Sequence, residues 1–174
     1  MPRKGNRSPA VILLSANATI SLDSAVRLMQ TTTLYDQDFY AWTQRQIELL
    51  QAQQWEQVDI DNLIEELDSL GKQQRQELRN RLGVLLGHLL KWRYQPEARS
   101  KSWRATIREQ RQEIRRHLKE NPSLKPYLSE AIEIGYEKGL NLVDRETPLN
   151  PEQLPQSCPF SEAEIFEELL ELEQ

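Results

Sequence analysis

Residues 82–111 read LGVLLGHLLKWRYQPEARSKSWRATIREQR, and this stretch decides the fold. Its first half is apolar nearly all round: Leu82, Val84, Leu85, Leu86, Leu89, Leu90 and Trp92 leave few positions for water, the pattern of a buried helix. Pro96 stops that helix, and Ser100 or Ser102 can cap the next one. Trp103, Ile107, Ile114 and Leu118 then recur at helical spacing. The stretch therefore reads as the central hairpin of an all-α bundle of about five helices. Gly83 and Gly87 lie four apart on one face, where a neighbouring backbone can approach closely.

Working back toward the N-terminus, Ile60, Leu63, Ile64, Leu67 and Leu70 form one stripe. Its phase carries through Gly71, Gln74 and Leu78 to Leu82, so the spacing predicts one long helix over 60–94, capped by Asp59 or Asp61, with Gly71 as the place for a kink. A first helix is expected from near Asp36, which can cap its free amides, to about Gln53, with Tyr35, Phe39 and Trp42 as aromatic core anchors. Residues 1–28 combine a basic start with an apolar patch at 10–14, shorter than the roughly 7 to 15 residues of a signal peptide's apolar region. They read as a disordered extension, or as a stretch ahead of a true start at Met29. The domain plan is an extension over 1–33, a helical bundle over 34–146, and a strap with a short helix over 147–174.

Toward the C-terminus, the basic helix is expected to reach about Lys119. Asn121-Pro122 opens the next helix, with Pro126 delaying its regular part to about Tyr127. Leu128, Ala131, Ile132, Tyr136, Leu140 and Val143 continue it. Pro148, Pro151, Pro155 and Pro159 mark an irregular strap, after which Ser161 and Glu164 form a capping box for a short acidic helix with Ile165, Phe166, Leu169 and Leu170 on its apolar side.

Charge is segregated along the 174 residues. The net is −5, but residues 1–33 carry +3, 34–70 carry −8, 71–120 carry +9 and 121–174 carry −9. A basic middle between acidic flanks suits either phosphate binding or a ring of ion pairs within the bundle, and the second is the more ordinary arrangement. The single cysteine, Cys158, excludes an internal disulfide and a cysteine-cluster metal site, which fits a reducing cytoplasm. No apolar run approaches the roughly 18 residues of a membrane span.

Four motifs, LYDQDFYAWTQRQIELL (34–50), DIDNLIEELDSLGKQQRQEL (59–78), LLGHLLKWRYQPEARSKSWRATIREQR (85–111) and CPF (158–160), together resemble the family called domain of unknown function 29, small helical bacterial proteins. The likeness covers about residues 34–160. It implies a small α-helical domain, and it implies no established activity and no catalytic residues.

Candidate chemistry is sparse. His88 sits inside the apolar helix, where Glu65, Glu66 or Asp61 would orient or ionise it if the bundle brought them together; a histidine bonded to a carboxylate or carbonyl for structural reasons is the favoured reading. Arg81 with His88, and Arg111 with His117, match the Arg-x4-6-His spacing of helical ribonucleases of the HEPN group. There an arginine holds the phosphate and a histidine moves the 2′-hydroxyl proton; in so arginine-rich a chain the spacing arises readily by chance. Arg104, Arg108, Arg111 and Arg115 repeat along one face of the basic helix, flanked by Arg93, Arg99 and Lys101, as a surface for a phosphate backbone or an acidic protein. Neither a metal nor a cofactor is expected. The reading is a cytoplasmic, non-catalytic binding or assembly module, with a protein partner or homo-oligomer ahead of nucleic acid. A HEPN-like ribonuclease, or a nucleic-acid-binding component of a toxin and antitoxin pair, is the alternative.

Overall fold

Three of the helices begin where a side chain accepts from their free amides. The computed structural model describes residues 34–167; the extension expected over 1–28 and the side chains of Leu169 and Leu170 lie outside them. Residues 34–37 form a helical turn, and the Asp38 amide donates to the Leu34 carbonyl at 2.8 Å. The cap of the first full helix is therefore Asp38 rather than Asp36: its carboxylate accepts from the Ala41 amide at 3.0 Å, starting α1, Phe39–Gln51. Helix α2, Ile60–Tyr94, is uninterrupted through Gly71. Helix α3, Lys101–Glu120, is capped by Ser100. A 3-10 turn, Pro122–Tyr127, leads into α4, Leu128–Glu146. The capping box of Ser161 and Glu164 opens α5, Glu162–Phe166. Among the described residues there is no strand, so the architecture is all-α.

The described residues divide into two compact units, one up to Glu66 and one from Leu67 onward, with the division inside α2. In the first, α1 buries Trp42, Gln46 and Leu49 at i, i+4 and i+7. The buried Asp59 ties this unit together: its carboxylate accepts from Trp42 Nε1 at 3.2 Å and from Asn62 Nδ2 at 2.8 Å, while its amide donates to Gln46 Oε1 at 2.9 Å. Such bonds offset the desolvation of a buried carboxylate. Of the three expected aromatic anchors, Trp42 is buried, Tyr35 is half-buried and Phe39 is exposed. Phe39 is the first residue of α1; its ring stacks on Trp42 at 5.6 Å between centroids and meets Tyr35 edge-on at 5.8 Å, yet half of the side chain stays exposed.

In the second unit, Leu78, Leu82, Leu85, Leu86, Leu89 and Leu90 of α2 join a core with Ile107 and Ile114 of α3 and with Ala131, Tyr136 and Val143 of α4. The strap adds Leu154 and Phe160, and α5 adds Ile165. The close approach expected at Gly83 and Gly87 is real, and its other half is Gly135 and Gly139 of α4. A Cβ on Gly139 would lie 2.9 Å from the Gly87 nitrogen, and one on Gly135 would lie 2.7 Å from the Leu82 Cβ. Two glycine pairs at i and i+4 let α2 and α4 meet backbone to backbone.

Candidate functional site

The N-terminal unit leaves large apolar side chains in water. Tyr40 is 73% exposed, Ile64 61% and Trp55 60%, and Phe39, Ile47 and Ile60 are each about half exposed. At about 100° per residue, Tyr40 and Ile47 fall on one side of α1, away from the buried arc of Trp42, Gln46 and Leu49, while Phe39 borders that arc. Ile60 and Ile64 stack at i and i+4 on α2. Trp55 projects from a 3-10 turn, Trp55–Gln57, that follows Gln53, whose φ of 57° makes the reversal after α1. Single exposed apolar residues are ordinary on any protein, but six large ones within residues 34–66 are an unusual concentration. The sequence stripe found Ile60 and Ile64. It missed Tyr40, which stands a helical seven before Ile47, and Trp55, which belongs to no apolar period; Trp55 alone in the polar run QAQQWEQ was the signal available.

The expected partners of His88 do not assemble around it. Glu66 accepts a hydrogen bond from the Tyr35 hydroxyl at 2.6 Å within the N-terminal unit; that bond, before all else, pushes the Tyr35 phenol up to about 12. Glu65 and Asp61 are exposed in the same unit. His88 Nδ1 instead lies 2.9 Å from the Val84 carbonyl. Burial pulls its imidazole below the ordinary value, with the Val84 carbonyl opposing and the Lys91 charge assisting. Arg81 is engaged by Glu77 at 2.7 Å and by Glu113 at 3.4 Å. His117 is buried, with Nε2 2.9 Å from the Gln74 carbonyl.

Lys91, one turn beyond His88, was not singled out by sequence and is 3% exposed. Its ammonium donates to Glu146 Oε2 at 2.9 Å and sits 4.5 Å from the centre of the Trp103 ring. One charge thereby links α2, α3 and α4. The Lys91 hydrogen bond holds the Glu146 carboxyl below its ordinary range.

On α3, Arg108 and Arg115 are exposed and Arg104 is half-buried. Arg111 departs from the expected outward face: it is 1% exposed. Its Nε donates to the Ile165 carbonyl at 2.8 Å and its Nη2 to the Glu164 carbonyl at 2.7 Å. Arg115 donates to the Phe166 carbonyl at 3.1 Å. Three successive carbonyls at the end of α5, which lack helical partners, are thus met by guanidinium groups, the favourable charge for a helix C-terminus. Arg93 completes the attachment, donating to Glu164 Oε1 at 2.6 Å and lying 4.2 Å from the centre of the Phe160 ring.

An open groove of about 540 Å³ lies along Asp68, Gly71, Lys72, Arg75, Asn121 and Ser123. Lys72 pairs with Asp68 at its edge, and the Arg75 guanidinium stacks 4.9 Å from the centre of the Tyr127 ring. Among the described residues no three histidine, cysteine or acidic side chains come together to hold a metal ion, and no helix is long and apolar enough to cross a membrane. No curated protein and no solved structure matches the chain. The family described as Domain of unknown function DUF29 matches over residues 34–170, most of the chain and all four sequence motifs, and the protein belongs to that family.

Proposed function

We propose that this protein is a non-catalytic binding or assembly module of the cytoplasm, and that it makes its contact through the exposed apolar face of the N-terminal unit. The observation that carries the reading is the exposure of Tyr40, Trp55 and Ile64, each at 60% or more. Folding gains little from an apolar side chain left in water, so such residues contribute free energy when a second surface covers them. The arginines of α3 supply less to a contact with nucleic acid, because Arg111 and Arg115 are spent on α5.

The test separates a folding role from a contact role. A variant carrying Tyr40→Gln, Trp55→Gln and Ile64→Gln keeps its unfolding free energy within about 0.5 kcal/mol per site, the usual range for surface substitutions. It also loses most of the parent's binding of the apolar dye bis-ANS. A loss of several kcal/mol would show that these side chains serve the protein's own core, and the contact reading would fall.

A further inference from the structure

Every exposed aliphatic or indole side chain of the N-terminal face stands beside a carboxylate. Ile47 precedes Glu48, Trp55 precedes Glu56, Ile60 precedes Asp61 and Ile64 precedes Glu65. Over residues 34–66 there are eight carboxylates and one basic side chain, Arg45, and Arg45 is held by Glu48 at 3.1 Å. One carboxylate, Asp59, is buried and bonded internally, and Glu66 is bonded to Tyr35. Asp61 and Glu65 follow the Ile60 and Ile64 ridge by one residue each, so both border it on the same flank of α2.

We infer that this face docks a basic amphipathic helix of a separate protein: apolar residues at i, i+3, i+4 and i+7 cover Ile60, Ile64 and Trp55, and flanking lysines or arginines meet Glu56, Asp61 and Glu65. The inference rests on the contact reading above and adds the partner's chemistry. Charge decides among occupants. A second copy of this face would bring one net acidic surface against another, and like charges suppress such encounters. Phosphate polymers and anionic bilayers are repelled by the same carboxylates. Shape decides the conformation of the partner. The described residues offer no sheet edge to extend, whereas helical ridges of i and i+4 side chains accept the grooves of another helix.

The test titrates two synthetic peptides of two heptads each into the isotope-labelled full chain, followed by residue-resolved NMR. Both have leucine at i, i+3, i+4 and i+7; one has lysine elsewhere and the other glutamate. The lysine peptide is expected to shift residues 39–65 selectively and the glutamate peptide to leave them unmoved. The double variant Trp55→Glu with Ile64→Glu, although more acidic, is expected to bind the lysine peptide at least about tenfold more weakly, since apolar anchors dominate such contacts. Equal or tighter binding by that variant would mean attraction by charge alone and would overturn the inference. So would shifts confined to the acidic residues 121–167. If both peptides dock on 39–65, the contact face stands and its charge selectivity falls. If neither shifts those residues, the contact reading falls with it. A chain that dimerises through residues 39–65 in sedimentation equilibrium, without peptide, would assign the face to a second copy and also overturn the inference.

Discussion

Gly139→Val is expected to lower the unfolding free energy by about 3 kcal/mol, the upper part of the range for overpacking a tight interior. The reason lies in what the new atoms meet. The first added carbon comes within 2.9 Å of the Gly87 nitrogen and 3.3 Å of the Gly83 oxygen. Both are helix backbone atoms, which cannot swing aside as a side-chain terminus can. Relief requires α2 and α4 to separate, which opens the contacts of the leucines beside them. For a chain of this length the loss corresponds to a fall of roughly 6–12 °C in Tm, read by thermal unfolding followed by circular dichroism. Gly71 supplies the opposite sign. It sits inside α2 with nothing within 4 Å of the position a Cβ would take, so Gly71→Ala gains about 0.5–1 kcal/mol from backbone entropy. Equal effects at the two positions would contradict the backbone contact between α2 and α4.

Arg111→Met is expected to release the C-terminal strap while the helices behind it stay folded. Methionine keeps much of the apolar stem but strips donors from the Glu164 and Ile165 carbonyls, each of which then costs about 1–3 kcal/mol if it stays buried and unpaired. Undocking avoids that cost. Hydrogen exchange should accordingly show protection lost over residues 160–167 and retained at Leu82 and Leu86. Arg111→Lys should not restore it, because a single ammonium cannot span two carbonyls as the guanidinium does. The attachment also depends on acid. The Ser161 amide first, then its hydroxyl and Arg93, hold the Glu164 carboxyl down from 4.5 to about 2. Its contribution is therefore complete above about 4.5 and is lost as pH falls through about 2, and Glu164→Gln should remove that window. Unchanged exchange in Arg111→Met would show that the apolar residues alone hold the strap.

Much of this architecture could be read from residues. The unbroken phase from Ile60 to Leu90 gave the long helix, and Ser100 and the Ser161/Glu164 pair gave their caps, because period and capping are local properties. Gly83 and Gly87 announced a close approach, but the choice of Gly135 and Gly139 as the other side is tertiary, although those glycines also stand four apart. Arg111 lies four after Ile107 and three before Ile114, squarely on the inward stripe. Its charge suggested water, and only the carbonyl ends of α5 explain its burial. The exposed face was hardest to read. Periodicity shows that Ile60 and Ile64 need a partner surface and is silent on whether that surface belongs to the same chain.

Hydroxyl-radical footprinting of the full chain, read by mass spectrometry, tests that last point most directly. Heavy oxidation is expected at Tyr40, Trp55 and Ile64, with protection at Trp42, which is 1% exposed. Protection of Tyr40 and Trp55 to the same degree as Trp42, in the protein alone, would show that the face is already covered and would contradict the claim that it awaits a partner.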